Sequence, residues 1–302
     1  MGIRFNDFAI KGIDVSTFND YVDWEKVRQA GVNFSAIRAG YGDTTDGRFV
    51  ENWKNAKGKV SRFAYWYMDY YSNWYNPHSK YYGVSDAGWG KIQAQNCWNL
   101  IKLDNDKIIT FLDIESGLPS YSPKITTQPA TSHAHQIARA FLKELDRLSG
   151  LFNGIYCSTG MLSWYPSDLR DRPLWTAWYT DYQNYITIKQ TVAKNGWTGK
   201  CLMWQYTSDG DVDDDGIGDG KKIGSSYNTL DLNGWIGTAE EYSIFINSTP
   251  PVPPPPPVPE VPLFKAKIIV PSLNIRKGSG TTYPVVGTAI NGQIFEVYET
   301  NG

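Results

Sequence analysis

Two carboxylates two residues apart, Asp113 and Glu115 in Thr110-Phe111-Leu112-Asp113-Ile114-Glu115, are the residues of this chain best suited to chemistry. The apolar run Ile108 to Leu112 leads straight into them and reads as a buried strand, being rich in β-branched and aromatic side chains. In a strand, side chains at i and i+2 share a face. The two carboxyls are therefore expected side by side at the strand's C-terminal end, just before the turn signal Ser116-Gly117. Two carboxyls this close cannot both ionise freely, and one pKa must rise. A carboxyl that keeps its proton near neutral pH is a general acid, the group that breaking a glycosidic bond requires. A bare D-x-E also occurs in helix caps and surface turns, so the weight falls on the elements around it.

Those elements alternate. Strands read at Ile10 to Val15, Phe34 to Ala39, Ser61 to Met68, Ile108 to Ile114, Asn153 to Cys157, Leu174 to Trp178 and Cys201 to Tyr206. Helices read across Asp23 to Ala30, stopped by Gly31, and Phe49 to Ala56, closed by Gly58. A third carries Trp89, Ile92, Cys97 and Ile101. A fourth, capped at Thr131 or Ser132, has Ile137, Phe141, Leu145 and Leu148 on one stripe. Alternation of this kind implies parallel βαβ units. No glycine-rich dinucleotide fingerprint follows the first strand, so the fold class is α/β, a TIM-like β/α barrel. The spacing tightens after residue 150, which predicts an irregular barrel with fewer than eight helices.

Bulk composition excludes several functions. Twenty-nine basic against 31 acidic residues leave a net charge of −2 and no basic stretch, so no nucleic acid partner is expected. No run approaches transmembrane length, so no membrane is expected either. The 12 Trp and 20 Tyr suit a protein that stacks rings on flat ligands such as sugars. Cys97, Cys157 and Cys201 lie far apart in apolar runs and read as buried thiols. Three histidines supply a zinc or Cys-His hydrolase thinly, and His133 and His135 open a helix where they face different directions. Met1 to Ile10 holds no apolar core, so no secretion signal is expected and the chain is read as made in the cytoplasm.

The composition changes at 247–262, which holds nine of the 17 prolines, five of them in a row from Pro253 to Pro257. Such a run neither pairs into a sheet nor continues a helix, and it reads as a stiff spacer of roughly 50 Å. Residues 263–302 alternate short apolar runs with glycine turns and read as a small all-β module. Forty residues are marginal for a separate core, so a module cut short is expected. The division is thus a barrel at 1–246, a linker at 247–262 and a partial module at 263–302.

Residues 10 to 246 resemble glycoside hydrolase family 25, the lysozymes of bacteria and phages. Lys11-Gly12-Ile13-Asp14-Val15-Ser16 is similar to that family's opening motif, and Phe111-Leu112-Asp113-Ile114-Glu115 to its central D-x-E. Met203-Trp204-Gln205-Tyr206 and Leu230-Asp231-Leu232-Asn233 resemble its closing pair. Leu273 to Gly287 resembles bacterial SH3 (SH3b) domains, which grip cell walls. The resemblance implies an N-acetylmuramidase that acts on bacterial peptidoglycan as a monomer, requires no cofactor and is deployed as phage endolysins are, reaching the wall from the host cytoplasm after release. It implies Glu115 as general acid, Asp113 raising the pKa of Glu115 or orienting the substrate's acetamido group, and Asp14 and Asp231 completing the cluster. Tyr65, Trp66 and Tyr67 stand where the family shows Tyr-His-aromatic. Tyr65, Tyr67, Trp178, Tyr179, Trp204 and Tyr206 are the candidate sugar-binding rings, with Tyr67 favoured for the cleft, and the loop from Asp69 to Trp89 is expected to cover one rim. A chitinase would carry D-x-x-D-x-D-x-E, and Ile108 and Phe111 occupy its first two acidic positions here. A non-catalytic wall-binding protein is the remaining alternative, and all four carboxylates are present.

One further pattern departs from the family. Asp211, Asp213, Asp215 and Asp219 occupy positions 1, 3, 5 and 9 of a calcium-type loop with Gly216 at position 6. Lys222 stands where the twelfth-position Glu is needed. The pattern leaves two readings open: a solvated acidic insertion, or a structural calcium that would stiffen the loop near Asp231.

Overall fold

The computed structural model describes residues 4–102, 109–115, 128–179, 185–213, 215–247, 264–276, 281 and 285–297. The chain divides into two compact units, Met1–Pro253 and Pro254–Gly302.

In the first unit, β1 (Lys11–Val15), β2 (Phe34–Tyr41), β4 (Ser61–Tyr67), β5 (Thr110–Asp113), β6 (Gly154–Ser158), β7 (Leu174–Ala177), β8 (Cys201–Thr207) and β9 (Asp231–Trp235) form one sheet. Its order is β1-β9-β8-β7-β6-β5-β4-β2, and β1 pairs with β2 to close the ring. The two-residue β3 (Thr44–Thr45) hangs on β2. Within the ring, neighbours are parallel except for β9, which runs antiparallel to both β1 and β8. The expected mixed α/β barrel is therefore present.

Alternation along each strand produces two apolar shells. Phe34, Phe63, Tyr65, Phe111, Tyr156, Trp175 and Met203 fill the lumen. Ile13, Ile37, Trp66, Leu112, Ile155, Cys157, Trp204 and Leu232 face outward, into the shell shared with the helices. The helices are α1 (Trp24–Gln29), α2 (Phe49–Ala56), α3 (Asp86–Ile101), α4 (Gln128–Ser149), α5 (Tyr185–Lys194), α6 (Gly220–Ile223) and α7 (Ala239–Asn247). α4 begins at Gln128, ahead of the expected cap, because Pro129 is well tolerated in a first helical turn. It lies close against α3 because Gly90 has no side chain: a Cβ there would sit 2.4 Å from the Ile137 carbonyl oxygen. Between β6 and β7 the described residues form only two 3-10 turns, Thr159–Trp164 and Ser167–Leu169. Between β8 and β9 the only helix among the described residues is the four-residue α6. The tightened spacing after residue 150 is thus a real loss of helices.

The histidines face apart, as the helix phase dictates. Buried His133 pairs through Nδ1 with Asp86, while the His135 ring packs 3.9 Å from that of Trp164. All three cysteines are free, two of them buried. No helix among the described residues is long and apolar enough to cross a membrane.

In the second unit β10 (Phe264–Lys267) pairs antiparallel with β13 (Ile294–Val297), and β11 (Ser272–Arg276) with β12 (Val285–Ile290). Ala289 is its one buried apolar residue among those described. The proline-rich run beyond Asn247 and the turn at Ser116-Gly117 lie outside the described residues.

Candidate active site

Four carboxyls meet at one mouth of the barrel because of strand direction. Asp14 lies near the end of β1 and Asp113 ends β5, with Glu115 two residues beyond it. These are C-terminal ends of parallel strands, where barrel chemistry sits. β9 runs the opposite way, so Asp231, its first residue, stands at the same mouth and directly opposite Asp14 across the β1–β9 pair.

Their environments differ. Asp14 is buried, and its Oδ2 accepts hydrogen bonds from Gln205 Nε2 at 2.8 Å and Asn233 Nδ2 at 2.7 Å. Burial raises its pKa to about 6, with those two bonds and one from Asp231 holding it down. Asp231 rises to about 9, through burial first, then the Asp14 charge and the hydrogen bond between them. The pair therefore holds one proton on Asp231, which donates it to ionised Asp14. Asp113 is only 5% exposed, and its buried Oδ1 has no hydrogen-bond partner among the described residues. Burial, then the charges of Glu115 and Asp14, push its pKa well above the carboxylate range. Glu115 is the member open to solvent, and burial of part of its surface still raises its pKa, against the pull of Arg38. Asp113 is the more enclosed of the two, and burial together with the Glu115 charge favours its protonated form, while burial is the main cause of the rise at Glu115.

Arg38, on β2, is the cation facing these acids. Its Nε donates to Asp46 Oδ2 at 2.7 Å, and its guanidinium lies 4.8 Å from the centre of the Phe18 ring.

The candidate rings separate by strand alternation. Tyr65 lies in the lumen, edge-on to Trp175 at 5.7 Å, below the half-buried Tyr67 on the same face. Tyr179 is half exposed and donates its hydroxyl to Gln205 Oε1 at 2.6 Å. Trp204 and Tyr206 belong to the outer shell: Trp204 is fully buried, its Nε1 donating to the Trp178 carbonyl at 3.0 Å, and Tyr206 stacks on Phe8 at 5.2 Å. Trp178 packs against the same shell. These three rings point away from the carboxylates, which corrects the reading of them as sugar-stacking groups. Gln205, between Trp204 and Tyr206, is the residue of β8 that faces inward here. In the loop after β4, Trp74 and Tyr82 are exposed and Tyr70 is fully buried.

A barrel with these carboxyls at its mouth narrows the chemistry, and comparison with known proteins decides the family. Residues 13–215 match the family model described as Glycosyl hydrolases family 25. The chain belongs to this family. Lysozyme M1 of Streptomyces globisporus is 24% identical over 261 residues, 80% of this chain and 72% of that protein. A bacterial lysozyme from Streptomyces coelicolor shares the fold at TM-score 0.58 and 21% identity, over 80% of this chain and 98% of that one. The modular autolysin LytC of Streptococcus pneumoniae, solved with a synthetic peptidoglycan ligand, matches at TM-score 0.54 and 18% identity, over 75% of this chain and 46% of that one. The chain is a glycoside hydrolase with muramidase activity, peptidoglycan is the substrate of family 25 lysozymes, and their catalysis requires no cofactor.

The acidic loop of this family 25 barrel brings together three of the four carboxylates of the sequence pattern. Asp211, Asp213 and Asp215 bring one carboxylate oxygen each within 4.8 Å of one another. Asp219 is separate, because its carboxylate pairs with Lys222 Nζ at 2.5 Å. Three carboxylate oxygens at this spacing could hold part of a cation's shell, and Asp219 is not among them.

Sequence reasoning missed Arg38, Tyr156, Trp175, Gln205 and Asn233 as site residues. A signal for Gln205 was available: one polar side chain within Leu202-Met203-Trp204-Gln205-Tyr206 must take the opposite face from its two aromatic neighbours.

Proposed function

We propose that this family 25 enzyme cleaves the β-1,4 bond between N-acetylmuramic acid and N-acetylglucosamine, with Glu115 as general acid. The observation that carries the reading is the contrast within one mouth. Asp14 and Asp113 are buried and half-buried Asp231 is tied by a hydrogen bond to Asp14, whereas Glu115 is the most exposed of the four and still has a raised pKa. Glu115 gives its proton to the glycosidic oxygen as the bond from that oxygen to C1 breaks. Positive charge grows on the sugar ring and faces ionised Asp14. Asp113, whose buried Oδ1 has no partner among the described residues, orients the acetamido group as the substrate seats against it. Water then adds its oxygen to C1 and returns a proton to Glu115. Tyr67 and Tyr179 flank the sugar, and Tyr65 supports them from below.

Within the same proposal, residues 263–302 form an SH3b-like wall-gripping module joined through the proline-rich linker at 247–262. The antiparallel pairing of β11, which contains Leu273-Asn274-Ile275-Arg276, with β12 supports that reading. The deployment is that of an endolysin: a monomer made in a host cytoplasm that meets peptidoglycan once the membrane opens.

Digestion of purified peptidoglycan, with borohydride reduction and mass spectrometry of the new ends, tests the bond. Reduced muramic acid ends are expected. Reduced glucosamine ends would make the enzyme a glucosaminidase and overturn the assignment.

A further inference from the structure

Asp14 sits at the centre of a hydrogen-bond network whose direction is fixed by a group that can only donate. The Trp175 indole Nε1–H lies 2.8 Å from Asn233 Oδ1. An indole has no acceptor atom, so that Asn233 atom must be the oxygen, and the amide nitrogen must face Asp14. The 2.7 Å contact from Asn233 Nδ2 to Asp14 Oδ2 follows. A second arm reaches the same oxygen. Tyr156 and Tyr179 both place their hydroxyls 2.6 Å from Gln205 Oε1, leaving Gln205 Nε2 to donate to Asp14 Oδ2 at 2.8 Å. Trp175 is itself held edge-on or tilted by Tyr65, Phe111 and Tyr156. Four strands thus converge on one carboxylate oxygen: β7 and β9 through Trp175 and Asn233, β6 and β8 through Tyr156 and Gln205. The Tyr179 hydroxyl completes the second arm from the open mouth.

We propose that Gln205 and Asn233 are positioning residues that keep Asp14 as the carboxylate of the Asp14–Asp231 pair, with Trp175, Tyr156 and Tyr179 locking the two amides in the donating orientation. This rests on the assignment of Asp14 to the reacting centre. Two N–H groups on one oxygen favour the charged form of Asp14 and fix which carboxyl of the pair carries the proton. They also prevent the Asp14 side chain from rotating as charge builds on the sugar, so little reorganisation is needed during the reaction. Tyr179 joins the deep network to the mouth, so a sugar ring resting on it would also bear on Asp14.

The pH dependence must be read among all the groups that face Asp14. These are Asp231 from β9, Asp113 and Glu115 from β5 and its end, Tyr65 from β4, Tyr156 from β6, Tyr179 beyond β7 and Arg38 from β2. The test compares kcat and KM profiles against pH for wild type, Gln205→Met, Trp175→Phe, Tyr179→Phe and Asp14→Asn on purified peptidoglycan. Gln205→Met keeps length without donors, and Trp175→Phe keeps a ring without the N–H. Tyr179→Phe, at the exposed mouth, is the variant least able to disturb folding. The acidic limb of kcat is expected to move to higher pH by about half a unit or more in Gln205→Met and Trp175→Phe, and by less in Tyr179→Phe. kcat at the optimum should fall roughly tenfold in the first two, within the range of a weakened electrostatic contact. A role in packing alone would lower the melting temperature and leave the limb in place, which would overturn the proposal. An inactive Asp14→Asn beside folded Gln205→Met and Tyr179→Phe with unmoved limbs would remove the network's role and spare that of Asp14. An active Asp14→Asn that keeps the acidic limb would refute both.

Discussion

At the scale of single residues, alternation along a strand decides which side chains reach the chemistry. Trp204 and Gln205 are neighbours in sequence and face opposite shells of the barrel. Trp204 is fully buried among outer-shell residues, so Trp204→Ala should cost about 3–5 kcal/mol of stability, the range for removing a buried aromatic. Its KM for peptidoglycan at a temperature where it remains folded should stay within twofold of wild type. Chemical denaturation and Michaelis kinetics check the two halves, and a raised KM with unchanged stability would return Trp204 to the cleft. The same alternation explains what sequence could show of the site. Asp14, Asp113 and Glu115 were legible because carboxylates at strand ends are conspicuous, and Asp231 through the resemblance of Leu230-Asp231-Leu232-Asn233 to the family's closing motif. Gln205 and Asn233 were not, because a neutral amide inside a strand carries meaning only once its face and partners are known. The direction of the pKa effects was hidden too, since Asp113 and Glu115 differ by enclosure rather than by sequence.

At the scale of elements, the parallel strands β1, β2 and β4 to β8 were readable because they are apolar runs bounded by turn residues, with amphipathic helices between several of them. β9 was not read as a strand. Asp231-Leu232-Asn233-Gly234-Trp235 contains three residues depleted in strands, and only pairing with β1 and β8 makes it one. Its reversed direction is what delivers Asp231 to the mouth. Contact between α3 and α4 depends on a residue that leaves no hydrophobic trace. Gly90 faces the Ile137 carbonyl so closely that Gly90→Ala requires backbone movement, in spite of alanine's better helix propensity. A loss of about 1–3 kcal/mol is expected in thermal or denaturant melts. A gain of stability, the usual outcome of glycine to alanine at an open helix position, would show that the helices do not approach this closely.

At the scale of the whole molecule, the mouth concentrates acids at a cost to stability that depends on pH. Asp14 at about 6 and Asp231 at about 9 both lie above the ordinary value of 3.8. The folded state therefore binds protons that the unfolded chain has lost, and stability falls as pH rises across that window. The contribution is fully present below about pH 4 and lost progressively as pH climbs through 6 toward 9. Asp231→Asn should remove much of this dependence while still donating to Asp14. The stability gap between this variant and wild type should widen in the variant's favour from pH 5 to pH 8 by at least about 1.4 kcal/mol, one pKa unit's worth. Calorimetry at the two pH values checks it, and a constant gap would mean that Asp231 is not the proton holder.

The central claim is that Glu115 supplies the proton. Its most direct measurement is the rate of reducing-end release from purified peptidoglycan by wild type and by Glu115→Gln, with folding verified by melting temperature. A fall in kcat of about 10²- to 10⁴-fold at nearly unchanged KM and melting temperature is predicted, together with a wild-type alkaline limb above the ordinary glutamate range. A folded Glu115→Gln enzyme that releases ends at the wild-type rate would contradict the account.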